Sequence, residues 1–485
     1  MPELRIAVIG GGISGIAAAL RLHDRAPDGT DITVYEQSGA LGGKLRTGSL
    51  AGSSIELGAE AFLTRDPAGG DSAAVALARR VGLADALVHP AIGQAAIVID
   101  GELRPVPAGT LVGVPGDLEK VAAVARPEAE RDRDEGHPLL GPDEDVTVGD
   151  LVRRRLGDEV VDRLVDPMLG GVYAGRADAL SLTATMAGLA RAARTEHTLT
   201  GAVRAAFAAS PRPPGAPVFA TVTGGMSRLV TAAAQASGAR LRLGTAVREL
   251  LPTPTGWRLA IGPKRGPLDA GGSDGNPADP GSEELVEADA VVLALPARPA
   301  ARLLAAVDAE VAGLVGGLDY ASIALISLAL PAAQLPEMSG FLVPSVEGML
   351  IKAATFFTNK WAQLRRPDGV ALVRASIGRH GEEHLLQRPD KELVAAVHRE
   401  LVGLLGSAAV PPPLASHVQR WGGALPQYAP GHPERVAATR SALRSTYPTL
   451  ALAGAGYDGV GIPVCIRSGE TAADEVLAGV EGTRS

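Results

Sequence analysis

Cysteine is almost absent from this chain of 485 residues, in which Cys465 is the single example. One cysteine excludes internal disulfide bonds and cysteine-rich metal sites, and it fits a reducing compartment. We interpret Cys465 as a small buried apolar residue rather than a reactive thiol. Aromatic residues are also scarce, with six Phe, six Tyr and three Trp. An aromatic cage around a substrate therefore has few candidate side chains.

Long apolar runs and basic runs are missing as well. The most apolar stretches, residues 290–295 and 321–330, fall far short of the ~20 residues that span a bilayer. The sequence starts directly in a strand pattern without the features of a secretory signal, so we expect a cytoplasmic protein and leave open a peripheral contact with the inner face of the cell membrane. A net charge of −8 without a Lys/Arg-rich run argues against nucleic-acid binding. An anionic substrate would need a local basic pocket.

The N-terminus contains an apolar strand pattern that opens into G-x-G-x-x-G at Gly10, Gly12 and Gly15. In a βαβ unit, the first glycine permits the tight turn, the second lets a pyrophosphate approach the backbone, and the third lets the helix pack closely. Glu36 follows at the end of a second strand pattern, where a carboxylate accepts the ribose hydroxyls and repels an NADP phosphate. The sequence therefore predicts an adenine-dinucleotide site.

The rest of the chain alternates strand and helix patterns, which predicts an α/β fold. A discontinuous Rossmann-like domain is expected, together with a mixed-sheet substrate domain and a mainly helical domain. An acidic stretch, 128–145, is interpreted as a solvated loop, and the Gly/Pro-rich stretch 262–282 as a mobile hairpin tip or insertion. The predicted boundaries are 1–68, 211–298 and 431–485 for the dinucleotide domain, 69–210 for the helical domain and 299–430 for the substrate domain.

A dinucleotide domain built from three separated pieces favours a buried flavin over NAD. The last piece contains a buried-strand pattern at 450–454, a glycine-rich loop, and a helix from about Val464 to Ala478. Such a returning helix directs its positive N-terminal end at the flavin edge where charge accumulates on reduction. Pro463, close to the helix start, costs little there.

Several sequence blocks spread over nearly the whole chain carry a family resemblance. They are Gly42-Gly43, 55–60, 157–175 with 180–182, Arg420-Trp421 with 426–428 and 431–432, and 455–463. These blocks resemble the flavin-containing amine oxidases, and more narrowly the protoporphyrinogen/coproporphyrinogen oxidases of haem synthesis.

The resemblance implies non-covalent FAD. It carries over cofactor contacts to Gly10, Gly11, Gly12, Ile13, Ser14, Gly15, Glu36, Gln37, Gly43, Lys44, Gly58, Ala59, Glu60, Ala61, Val247, Val460, Gly461 and Ile462. Lys44 is placed beside the flavin, with a solvent-facing side chain as the alternative. No metal is implied.

The implied reaction is the six-electron oxidation of a porphyrinogen, with O2 reoxidising the flavin and hydrogen peroxide released. The cofactor supplies the difficult step and the protein orients the substrate. A backbone carbonyl at Gly171 is expected to position a pyrrole, and Tyr173 to contact the substrate. The scattered histidines are interpreted as surface or capping residues rather than bases.

One departure concerns substrate binding. Plant and animal members of the family carry a propionate-binding arginine where this chain has alanines after Gln94. The remaining candidates for propionate binding are Arg65, Arg176, Lys352 and Arg374. This departure and the bacterial style of the motifs favour coproporphyrinogen III, with protoporphyrinogen IX as the alternative.

Broader alternatives are another amine oxidase or desaturase of the same fold, and a flavoprotein that binds FAD without turnover. The intact C-terminal loop argues against the second of these. The expected partners are the porphyrinogen, O2 and a transient ferrochelatase contact. The sequence leaves monomer and homodimer open.

Overall fold

A computed structural model describes residues 4–211, 213, 215–263 and 283–484. The stretch 262–282, predicted as a hairpin tip or insertion, therefore lies almost entirely outside the described residues. Within the described part of the chain, no helix is both long and apolar enough to cross a membrane.

A five-stranded parallel sheet forms the centre of the dinucleotide-binding unit. The strand Ala290–Leu293 is buried at every position, as expected of a parallel sheet covered on both faces. In spatial order the strands are Arg240–Leu243, Asp31–Glu36, Arg5–Ile9, Ala290–Leu293 and Leu450–Leu452. The sheet thus joins three distant parts of the chain, as the sequence predicted.

Helices cover this sheet. The first and last helices of the chain pack against each other within one apolar core that includes Ile16, Val34 and Ile466. The helices of this unit are Ile13–Arg25, Ala73–Arg80, Ser227–Ala236, Ala297–Leu304, Ala309–Gly316, His432–Thr446, Ala455–Asp458 and Ile462–Arg484.

Smaller sheets surround the unit. One of them is the hairpin of Thr47–Leu50 with Ser53–Glu56. The other small sheets contain Thr245–Thr253, Gly256–Pro263 and Glu284–Ala288; Phe62–Leu63, Phe219–Val222 and Leu87–Val88; and Thr110–Leu111 with Val114–Pro115.

A seven-stranded mixed sheet forms the part of the molecule that was predicted as the substrate domain. One face packs on the helix Asp390–Leu405 through Phe341, Phe356 and Val397, which share one core. The short helix Phe357–Lys360 follows one of its strands. In spatial order the strands are Ala415–Gln427, Asp319–Leu330, Ala371–Ile377, Ile351–Phe356, Gly340–Leu342, Ala96–Ile99 and Glu102–Pro105.

The helical part of the chain follows the strand Val114–Pro115 and precedes the strand Phe219–Val222 in sequence. Its helices are Val148–Leu156, Asp158–Val160, Asp166–Tyr173, Leu182–Thr185, Ala187–Ala193 and Leu199–Ala209, with a π-helical turn at Val161–Val165. The α/β architecture with a mixed-sheet part and a mainly helical part is confirmed.

The acidic stretch 128–145 is a largely exposed loop with one 3-10 turn at Ala129–Arg131, as expected, but Asp132 is an exception. The side chain of Asp132 is only 2% exposed and pairs with Arg155 at 3.3 Å. Its carboxylate also accepts the backbone N–H groups of Leu199 and Thr200 at 2.6 and 3.0 Å. The carboxylate accepts hydrogen bonds from backbone N–H groups that have no partner within the helix Leu199–Ala209. Its negative charge also interacts favourably with the positive N-terminal end of that helix.

Candidate active site

The glycine-rich turn has the steric requirements predicted for it. Gly10 has a φ of +111°, and a β-carbon there would lie 2.3 Å from the carbonyl oxygen of Ala294. A β-carbon on Gly15 would lie 1.9 Å from the carbonyl oxygen of Gly10. On Gly12 it would meet no protein atom within 4 Å, so this backbone borders open space at the start of the helix Ile13–Arg25. That helix start is suited to an anionic pyrophosphate.

Glu36 stands beside this turn at the end of its strand. Its carboxylate accepts the backbone N–H groups of Gly11 at 2.8 Å and Ser38 at 2.7 Å. Gln37 follows and is exposed. Val247 is half-buried on the strand after Leu243, the residue that pairs with Glu36. The predicted adenosine-binding residues are therefore grouped at one edge of the sheet.

Two further backbone segments stack on the turn. Gly42 donates its N–H to the carbonyl oxygen of Gly11 at 2.8 Å, and Ala59 donates to that of Lys44 at 3.0 Å. A β-carbon on Gly58 would lie 1.9 Å from the same Lys44 oxygen. The segments 10–15, 42–44 and 58–61 therefore form successive layers.

Lys44 lies close to Cys465 of the last helix. Burial lowers the pKa of Lys44, and the nearby Cys465 partly offsets this. Burial also raises the pKa of the Cys465 thiol, although Cys465 is half-buried and not fully buried as expected. Among the described residues, no carboxylate lies within ion-pair distance of the Lys44 ammonium. A cation without a protein counter-ion at this position is suited to an anionic cofactor.

The C-terminal loop brings a second helix start to the same place. Gly459 and Gly461 have φ of +125° and +111°, and Arg440 holds the loop through two 2.8 Å bonds to Asp458. The helix begins at Ile462, slightly before the expected Val464, so Val460 and Gly461 directly precede its positive end.

The residues present fit FAD. The open space beside Gly12, the oriented carboxylate of Glu36, the Lys44 cation and two helix starts lie on segments that contact one another. Together they match a pyrophosphate, a ribose and an electron-accepting ring system. Among the described residues, no group of three or more His, Cys, Asp or Glu is arranged to hold a metal ion.

A helix from the helical part, Asp166–Tyr173, contributes Gly171. Ala174 ends this helix in the left-handed conformation with a φ of +51°. Gly171 and Val172 are exposed, Val172 by 47%. Within the described structure, no group donates a hydrogen bond to the carbonyl oxygen of Gly171. It belongs to the last-turn carbonyls that a helix leaves without internal partners.

Two residues of the seven-stranded sheet, and one that follows a strand of it, anchor this helix end. Lys352 Nζ donates to the carbonyl oxygen of Gly170 at 3.1 Å, and Gln427 Nε2 to that of Tyr173 at 2.8 Å. The backbone N–H of His380 donates to the carbonyl oxygen of Ala174 at 2.7 Å. The carbonyl of Gly171 therefore has a fixed position although it has no partner itself.

The Tyr173 ring packs into the core. It lies edge-on to Tyr428 with the ring centroids 5.8 Å apart, and burial raises its pKa to about 12. A substrate contact through its ring stays a prediction.

Lys352 is a buried cation. It is only 5% exposed, and among the described residues the bond to Gly170 is the only hydrogen bond of its ammonium group. Burial, with Arg379 and Arg374 nearby, lowers its pKa to about 7. A buried ammonium without a carboxylate partner is costly unless an anion joins it.

The other basic residues predicted to bind propionates are either paired with a carboxylate or more exposed than Lys352. Arg374 forms an ion pair with Glu60. Arg65 is half-buried and Arg176 is exposed, and among the described residues neither has an ion-pair partner. Their roles in substrate binding stay predictions.

Sequence reasoning missed several residues that shape the site. Trp421 donates its indole N–H to the carbonyl oxygen of Leu57 at 2.7 Å, and Lys360 pairs with Glu60 at 2.5 Å. Gly469 packs on the first helix, and a glycine within a helical pattern was its only signal. The expectation for histidines was wrong for His432, which is buried and stacks on Tyr428 with ring centroids 4.5 Å apart.

Fold and site together define a flavin-dependent oxidoreductase. The model of the family described as flavin containing amine oxidoreductase matches residues 13–477. A coproporphyrinogen III oxidase from Mycobacterium bovis is 35% identical over 479 residues, covering 98% of this chain and 97% of its own. One from Bacillus subtilis is 29% identical, with 97% of each chain covered.

A solved structure from Exiguobacterium sp. 255-15, named for protoporphyrinogen oxidase, superposes with a TM-score of 0.81 at 28% identity and covers 98% of this chain and 99% of its own. The chain therefore belongs to the flavin containing amine oxidoreductase family, within its protoporphyrinogen/coproporphyrinogen oxidase branch.

Proposed function

We propose that this protein oxidises coproporphyrinogen III to coproporphyrin III in haem biosynthesis, with FAD as cofactor, O2 as oxidant and hydrogen peroxide as by-product. The names of its full-length bacterial relatives support this substrate. The structural observation that carries the proposal is the fixed, unpartnered carbonyl of Gly171 at a helix end that faces open space.

The helix end at Gly171 suits the chemistry of a porphyrinogen. When bound, FAD supplies the acceptor for a hydride that leaves a bridging methylene carbon. Loss of a hydride leaves positive charge on the conjugated pyrroles. The last carbonyls of Asp166–Tyr173 carry the negative end of the helix dipole, which favours that charge. The Gly171 oxygen accepts a hydrogen bond from a pyrrole N–H, which orients the macrocycle.

Lys352 supplies an anchor for a substrate carboxylate. Its ammonium lies beside the same helix end and retains two N–H donors beyond its bond to Gly170. A propionate bound there would complete the ion pair that the protein lacks, with a charge-assisted hydrogen bond. Arg65 and Arg176 are proposed as further carboxylate contacts, and Tyr173 as an apolar wall. Arg374 lies near this anchor, but its guanidinium is already paired with Glu60.

Protoporphyrinogen IX is the second candidate substrate. The name of the Exiguobacterium relative, which matches along nearly the whole chain, favours it. Coproporphyrinogen III carries four propionates and protoporphyrinogen IX carries two, so a substrate cavity with several cations favours the former.

We further propose a cytoplasmic location with peripheral contact at the inner membrane face, and transient contact with a ferrochelatase. Sedimentation with anionic lipid vesicles tests the membrane contact, and loss of pelleting in their absence is the control.

The direct test compares oxygen-dependent growth of porphyrin fluorescence on the two porphyrinogens. We expect a higher kcat/KM for coproporphyrinogen III, and we expect K352M to lower that value. A higher kcat/KM for protoporphyrinogen IX would show that protoporphyrinogen IX, and not coproporphyrinogen III, is the preferred substrate. Failure on both, in holoprotein that is yellow with flavin, would leave amines or carotenoids as the substrate class.

A further inference from the structure

Arg374 bridges the seven-stranded sheet and the backbone segment predicted to line the flavin. It lies on the strand Ala371–Ile377, and its guanidinium donates to the carbonyl oxygens of Glu56 at 3.1 Å and Gly58 at 2.8 Å. A second arm of the guanidinium donates to the Glu60 carboxylate. One side chain thus holds three points of residues 56–60, here termed the flavin loop.

Lys360 closes the bridge from the other side. Its ammonium bonds the second oxygen of Glu60 at 2.5 Å and lies 5.2 Å from the ring centroid of Trp361. The side chains of Arg374, Glu60 and Lys360 are only 11%, 10% and 18% exposed. Burial alone would raise the pKa of Glu60, but Lys360 and Arg374 outweigh it and hold that pKa below its usual range. The three groups form one buried ionic cluster.

Such a cluster contributes more to fixing the position of the groups that it holds than to the net stability of the protein. Desolvation of buried charges offsets much of their attraction, so an apolar replacement of similar size is often as stable. A bridge with a fixed fork of donors does, however, define the place of the carbonyls that it holds.

The flavin loop in turn contacts the backbone segments that lead to the glycine-rich turn. Gly58 packs closely against the carbonyl oxygen of Lys44. Gly42, two residues before Lys44, donates its backbone N–H to the carbonyl oxygen of Gly11. The contacts therefore run without a gap from the seven-stranded sheet, through Arg374 and Glu60, to the glycine-rich turn. Trp421, from a strand of the same sheet, adds its bond to Leu57.

We propose that Arg374, acting through Glu60 and the carbonyls of Glu56 and Gly58, is a positioning residue for the flavin end of FAD. The seven-stranded sheet thereby sets where the electron acceptor lies relative to the substrate. This inference rests on the FAD dependence of the family and not on which porphyrinogen is oxidised.

The test measures FAD binding by purified apoprotein and the spectrum of the bound flavin, without substrate. For R374Q we expect the FAD dissociation constant to rise about tenfold or more, with a shifted reduction potential and a blurred long-wavelength absorption band. R374K keeps the charge facing Glu60 but loses the fork, so its values should fall between those of wild type and R374Q.

Arg366 offers the matched control. It also reaches from the predicted substrate domain, to the carbonyl oxygen of Ala51 and to Ser53 at the hairpin tip, but it does not touch the flavin loop. R366Q should leave FAD affinity, spectrum and potential unchanged.

Two outcomes would overturn the proposal. One is a folded R374Q protein with wild-type FAD affinity and spectrum, and the other is an R366Q protein that changes as much as R374Q. Circular dichroism reports whether R374Q folds. If it does not, R374K and E60Q decide, and wild-type FAD affinity and spectrum in both would equally overturn the proposal.

Discussion

Gly469 of the last helix packs directly on Ser14 of the first: a β-carbon at position 469 would lie 2.0 Å from the Ser14 carbonyl oxygen. This contact brings the start of the C-terminal helix to the glycine-rich turn. We expect G469A to push the two helices apart and to destabilise the protein by about 1–3 kcal/mol, as overpacking does. FAD affinity should fall as well.

Thermal unfolding with and without FAD measures both effects. G482A is the control, because a β-carbon on Gly482 of the same helix meets no atom within 4 Å. A G469A protein with unchanged stability and FAD affinity would contradict the role of this contact.

Gly12 separates cofactor binding from folding. A β-carbon there meets no protein atom, so G12A should leave the stability of the apoprotein nearly unchanged. It should weaken FAD binding about tenfold or more, because the methyl group blocks the approach of the pyrophosphate to the backbone. Fluorescence titration with FAD checks this.

G188A is the matched control for G12A, since Gly188 also has free space around its α-carbon and lies in the helix Ala187–Ala193. Equal FAD affinities of G12A and G188A would place the pyrophosphate elsewhere.

Lys352 should give the reaction a pH dependence. With its pKa lowered to about 7, Lys352 loses its charge as the pH rises through this value, and the carboxylate anchor is lost with it. We expect kcat/KM for coproporphyrinogen III to fall above about pH 7.

K352M should lower kcat/KM roughly tenfold or more at pH 6.5 and remove this break in the pH profile. K352R should remove the break but retain binding, because arginine stays charged. K391M, at an exposed lysine, is the control. If K352M shows the same fall of kcat/KM above pH 7 as wild type, the pH dependence comes from another group.

His432 should make the protein sensitive to acid. Burial lowers its pKa from 6.5 to about 4, so between these values the unfolded chain binds more protons than the folded one. Stability therefore falls as the pH drops through this window, by about 3 kcal/mol for the complete shift.

H432F keeps the ring that stacks on Tyr428 and removes the titration. Denaturant unfolding of wild type and H432F from pH 7 to pH 4 tests this prediction. Parallel stability curves for the two proteins would contradict it.

The sequence was most informative where a local steric or turn requirement exists. The G-x-G-x-x-G turn predicted the βαβ unit. The dipeptide Asp100-Gly101 is typical of a hairpin turn, and it joins two paired strands with φ of +52° and +77°. Both features depend on neighbouring residues, so they are readable from the chain alone.

Contacts between distant segments could not be predicted. Gly469 meets Ser14, and Arg374 meets Glu60, only after the sheets have formed. Asp132 seemed solvated by composition, yet it pairs with Arg155 in the tertiary structure. The sequence around each of these residues does not indicate which distant residue it will contact.

Anaerobic mixing of the holoprotein with coproporphyrinogen III tests the central claim most directly, because it removes O2 and leaves only the transfer from substrate to flavin. We predict that the flavin absorption band bleaches, and that it returns with porphyrin fluorescence and hydrogen peroxide when O2 is admitted. A flavin that stays oxidised with coproporphyrinogen III would contradict the account.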